Sequence, residues 1–120
     1  MRVYDLTDEL GRIYAFEVDT TLLGRRGACN VAARIPGVRI VRRHRLFSGD
    51  EEFCEFELDG QRFKAWEPFG DNSRYWIGPE PPKWCPQIER VRAAFVQHPP
   101  LLGFLLRILR RGKNAPKAPE

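Results

Sequence analysis

Between Trp66 and Trp76 the chain reads WEPFGDNSRYW, the densest cluster of recognition-competent groups in its 120 residues. Glu67 and Asp71 could form an acid–base pair. Arg74 offers a planar fork for a carboxylate or phosphate. Asn72 and Ser73 add hydrogen-bonding groups, and Trp66, Phe69 and Trp76 are rigid aromatic anchors of the kind that carry binding energy in interfaces. The binding reading assigns Trp66, Glu67, Phe69, Asp71, Asn72, Arg74 and Trp76 to a partner site. The plainer reading is structural. Gly70-Asp71-Asn72-Ser73 is ordinary turn chemistry, Pro68 stiffens the loop, and the tryptophans pack the end of a sheet.

A second candidate surface lies near the C-terminus. Leu101, Leu102, Phe104, Leu105, Leu106, Ile108 and Leu109 make residues 100–111 apolar almost all round as a helix. That is more than a one-sided surface helix needs. The run is far shorter than the about 20 residues that span a bilayer. It can pack on its own sheet, bury itself in a second copy or another protein, or lie on an anionic membrane with Arg107, Arg110, Arg111 and Lys113 as a basic rim. The preferred functional reading is burial in a partner, through Leu102, Leu105, Leu106 and Leu109.

Charge is laid out in blocks. Residues 21–49 carry seven arginines and no acid, while residues 50–59 carry six acids and no base. Arg25, Arg26, Arg39, Arg42, Arg43 and Arg45 could form a patch for nucleic acid or an anionic membrane. No nucleic-acid module pattern accompanies them, and the acids next door would neutralise them in part. A solvated arginine face is the favoured reading.

The three cysteines, Cys29, Cys54 and Cys85, are odd in number and widely spaced, with no CxxC pair. Each is expected to be a small buried hydrophobe in a reducing cytoplasm. No metal site and no cofactor is implied. His44 sits among arginines and His98 ends a helix. No GxSxG, P-loop, HExxH or GxGxxG occurs. A small enzyme using Glu67 and Asp71, or Cys85, is therefore the minority reading.

The elements that must position these groups follow from periodicity. Strands are expected over 3–6 and 12–18 around a turn at 7–11, the second fairly apolar on both faces and so central. A helix is expected over 20–34, capped by Thr20 or Thr21, with Gly24 and Gly27 weakening its start so that it begins only near Arg26. A strand follows over 38–43. Asp59-Gly60 then predicts a type I′ hairpin. Its register places Leu58 opposite Gln61, Glu57 opposite Arg62, Phe56 opposite Phe63, Glu55 opposite Lys64, Cys54 opposite Ala65 and Phe53 opposite Trp66. Glu57–Arg62 and Glu55–Lys64 read as cross-strand ion pairs, and Phe53–Trp66 as an aromatic pair on the same charged face. A last strand is expected over 74–78. A helix begins at Trp84 or Cys85 with Pro86 in its first turn, carries Ile88, Val91, Ala94 and Phe95 on its buried stripe, and stops at Pro99-Pro100.

The order β-β-α-β-β-β-β-α-α predicts an α+β fold. A single domain over 1–111 would have an antiparallel sheet of about five to six strands with helices packed on one face, and 112–120 would be a flexible basic tail. The leading function is a non-catalytic, bacterial-type interaction protein that binds a protein partner or self-associates into a homo-oligomer. Nucleic-acid or anionic-membrane association is the alternative of a different class.

Overall fold

The computed structural model describes residues 1–19, 23–43, 52–67 and 74–98. Six strands form one antiparallel sheet: β1 (Val3–Thr7), β2 (Ile13–Asp19), β3 (Val38–Arg43), β4 (Glu52–Leu58), β5 (Gln61–Trp66) and β6 (Arg74–Pro79). Their order across the sheet is β1-β2-β6-β5-β4-β3. β6 thus lies between the N-terminal hairpin and the rest, and β2 is an interior strand, as its two apolar faces predict. Two helices, α1 (Gly24–Ala33) and α2 (Ile88–Gln97), cover one face. The α+β expectation holds. The third helix expected over 100–111 and the tail over 112–120 lie outside the described residues.

The β4–β5 hairpin adopts the predicted register from Leu58↔Gln61 to Cys54↔Ala65. Asp59 and Gly60 both take positive φ, 51° and 81°, as a type I′ turn requires. The register then slips between Glu52 and Cys54, so that Glu52, not Phe53, stands opposite Trp66. This corrects the expected Phe53–Trp66 pair. The extra residue of a bulge rotates the strand. Phe53 turns into the core, where its ring centroid lies 4.7 Å from that of Tyr75.

The alternate residues of the strands build that core. Phe16, Val18, Phe56, Leu58, Phe63, Tyr75 and Ile77 point toward the helices and are buried. From α1 they meet Ala28, Cys29, Val31 and Ala32, and from α2 Ile88, Val91 and Phe95. Phe56 and Phe63 stack across the hairpin at 5.3 Å, and Phe16 meets Phe95 edge-on at 5.4 Å.

The start of α1 falls between the two expected limits, at Gly24, which takes φ +70°. Leu23 precedes it without a side-chain cap bond, and Thr20 and Thr21 lie outside the described residues. α2 begins at Ile88, about one turn later than the expected start at Trp84 or Cys85. Pro86 and Gln87 sit in a turn closed by the Ile88 amide donating to the Cys85 carbonyl at 3.2 Å.

One expectation about the cysteines is overturned. Cys29 on α1 and Cys54 on β4 are joined in a disulfide, their Cα atoms 5.9 Å apart. Spacing alone hid this, because the two residues become neighbours only once α1 packs on β4. Cys85 alone is a free buried thiol, and burial pushes its pKa up.

Candidate functional site

The strand alternation that fills the core sends another set of side chains to the face that neither helix covers. Tyr4 on β1, Glu17 and Asp19 on β2, Arg74 and Trp76 on β6, and Lys64 and Trp66 on β5 all share it. Trp66 and Trp76 are direct cross-strand partners, and their rings meet at 6.4 Å and 65°. The Lys64 ammonium sits 5.5 Å from the Trp66 ring and 6.0 Å from the Trp76 ring, a double cation–π contact. Glu52 at 3.1 Å and Glu80 at 3.4 Å hold it there. Desolvation pulls the Lys64 pKa down, but hydrogen bonds and charge from these two acids more than offset it, and the net shift is upward.

Beside the tryptophans, Arg74 lies 3.6 Å above the centroid of Tyr4. Its guanidinium donates to Glu17 at 3.3 Å and approaches Asp19 at 3.8 Å, while the Tyr4 hydroxyl donates to Asp19 at 3.2 Å. Glu17 is only 8% exposed, although neither α1 nor α2 lies over it. It stands between Tyr4 and Trp76, its partners on β1 and β6. A carboxylate this covered needs the Arg74 charge.

Trp76 owes its pose to a glycine. A Cβ added at Gly78 would lie 2.7 Å from the indole of Trp76 and 2.8 Å from the Cβ of Ala15. The indole therefore lies across the bare backbone of Gly78, and Ala15 is fully buried on the face that α1 and α2 leave uncovered. Trp66 is less settled: its indole Nε1 is covered, yet has no acceptor among the described residues. A buried donor without a partner costs about 1–3 kcal/mol.

Toward the other edge the same face becomes a run of ion pairs. Arg62 and Arg42 approach Glu55 at 3.5 and 2.5 Å, and Arg39 binds Glu57. From Leu58 to Cys54 the backbone register matches expectation, but the ion pairs differ from it: Arg62 reaches diagonally to Glu55, Lys64 reaches Glu52 and Glu80, and Glu57 binds Arg39 directly opposite on β3. The sequence placed β3 and β4 as strands without making them neighbours.

Glu67 is not part of this surface. It follows Trp66 on the chain, points to the helix side, and is 7% exposed. Arg25 at the start of α1 holds it at 2.5 Å and lies over Phe53 at 5.4 Å. Tyr75 is pushed up by burial and then by the Glu67 charge. The candidate residues thus divide. Trp66, Arg74 and Trp76 come together, Glu67 serves a buried ion pair on the opposite side, and Phe69, Asp71, Asn72, Leu102, Leu105, Leu106 and Leu109 lie outside the described residues, as does His44. His98 ends α2 as expected, and its carbonyl, with that of Val96, accepts from the Met1 ammonium at 2.7 Å. Tyr4, Glu17, Lys64 and Gly78 were missed as members of the cluster. The glycine inside a strand was a legible signal of close approach. Tyr4 and Glu17 needed the strand order.

Among the described residues no group of three or more histidine, cysteine or acidic side chains is placed to hold a metal, and no helix is long and apolar enough to cross a membrane. The chain matches no family model, no curated protein and no solved structure.

Proposed function

We propose that the protein is an interaction module that docks a protein partner on the face of its sheet that α1 and α2 leave uncovered, around Trp66, Trp76, Tyr4 and Arg74. The observation that carries this reading is the gathering of these side chains from three strands onto the one face that α1 and α2 leave open. Tryptophan, tyrosine and arginine are the residue types that dominate binding energy in protein interfaces.

Charge favours protein over polyanion. Arg39, Arg42, Arg62, Lys64 and Arg74 each face an acid of the same surface. Phosphate binding would have to break those pairs, whereas a mixed protein surface can complement them. The compartment reading changes as well. The sequence alone makes a reducing cytoplasm the default, whereas the Cys29–Cys54 disulfide supports an oxidising compartment.

The test places a photo-crosslinker on the open face, at Arg62, and separately on exposed Glu89 of α2, in the source cell. A protein adduct should form from position 62 and not from 89, and should vanish when Arg74→Ala and Trp76→Ala are added in a chain that still folds. Equal adducts from both positions, or an adduct that survives the double substitution, defeats the proposal. A dimer-sized homogeneous adduct would assign the face to a second copy instead.

A further inference from the structure

A groove of about 460 Å³ runs between α1 and α2 on the side away from the sheet's open face. Val31 of α1 and Ile35, just beyond its end, wall it on one side, and Ala93 and Ala94 of α2 on the other. Pro36 stands at one end and His98, the last described residue, at the other. The two alanines leave α2 without bulk at this seam, so a third apolar element can approach closely.

The chain itself supplies one. From His98, in extended conformation with ψ 124°, it continues as Pro99-Pro100 and then LLGFLLRIL over 101–109. We infer that this segment folds back as a helix and seats in the groove, antiparallel to α2, with Leu102, Leu105, Leu106 and Leu109 against Val31, Ile35, Ala93 and Ala94. Lengths agree. The groove follows α2 from Arg90 to His98, roughly 12 Å at 1.5 Å per residue, and nine helical residues from 101 span roughly 13.5 Å. A two-residue connection is within the range that joins antiparallel helices. Proline at both connecting positions ends α2 and keeps the chain from running on as one helix. The tether also favours this occupant over a free one. A segment held by two residues meets its groove at an effective concentration that an untethered partner does not reach.

This inference is independent of the docking reading for the open face, and it moves the C-terminal leucines from partner-binding surface to internal packing. It is tested on the full-length chain. A photo-crosslinker replacing Leu105 should give an adduct within the monomer that maps to residues 31–36 or 90–98. An adduct to a second copy, to added anionic vesicles, or to no groove residue overturns the inference. In parallel, Ala94→Arg and Leu105→Asp should each lower Tm by about 5 °C. Together they should lower it no further than either alone, because both remove the same contact. Ala33→Arg, on an exposed position of α1, should leave Tm unchanged. Additive losses, or no loss from Ala94→Arg, likewise overturn it. The crosslink is read in a chain that keeps Ala94, so the conclusion does not depend on that variant folding.

Discussion

The two faces of the sheet are built from the same strands by opposite means. Toward the helices, aromatic and aliphatic side chains exclude water and a disulfide ties α1 to β4. Toward the open side, rings alternate with cations, and Lys64 and Arg74 each face an acid. The helix side owes its stability to buried apolar area, which is indifferent to direction. The open side depends on placement, since a cation–π contact or ion pair is lost when a ring or carboxylate moves by a few ångströms. The exposed ion pairs of such a face add little to stability.

Substitutions can break or sharpen that contrast. The largest loss is expected on the helix side. Phe56→Ala removes a fully buried ring stacked on Phe63, and should cost about 3–5 kcal/mol in urea unfolding. Arg62→Gln on the open face should cost less than about 1 kcal/mol. If the two losses are equal, the division of labour is wrong. Reduction of the Cys29–Cys54 bond should cost about 3.5 kcal/mol by the chain-entropy relation for its separation of 25 residues. Its presence is checked by intact mass before and after reduction. Gly78→Ala should cost about 1–3 kcal/mol through overpacking, and should shift the tryptophan fluorescence because the Trp76 indole must lift.

The smallest effect is a pH dependence that compares both faces. Burial raises Cys85 and Tyr75 on the helix side. On the open side Lys64 is lowered by desolvation but raised further by Glu52 and Glu80. In all three the folded state holds the proton more tightly than the unfolded chain. Their contribution is therefore complete below the unfolded pKa values, about 8.5, 10 and 10.4 respectively, and is lost as pH rises through the folded ones. Urea midpoints should fall from pH about 8.5 upward. Cys85→Ala should remove the first part of that fall and leave the later part.

How much of this was legible depended on the range of the contact. Asp59-Gly60 fixed its hairpin because a two-residue turn leaves the strands one register, and the alternation of Phe56, Leu58, Phe63 and Ala65 then named the core face. The bulge at Phe53 escaped because a one-residue insertion costs little locally and is decided by the packing of the ring against Tyr75. Tyr4, Glu17 and Trp76 are 72 residues apart at the extremes, and only the insertion of β6 beside β2 brings them together. Cys29–Cys54 escaped for the same reason, as did the opposite facing of Trp66 and Glu67, which sit side by side in the sequence.

The indole of Trp76 lying over Gly78 has a consequence for descent. A side chain at 78 would meet both the indole of Trp76 and the Cβ of Ala15, so it cannot appear while both keep their places. The three positions are therefore inherited as one character. A lineage that abandons the tryptophan frees the glycine and the alanine to drift, whereas one that retains it must retain all three. The history of this surface should be readable as their joint presence or joint loss.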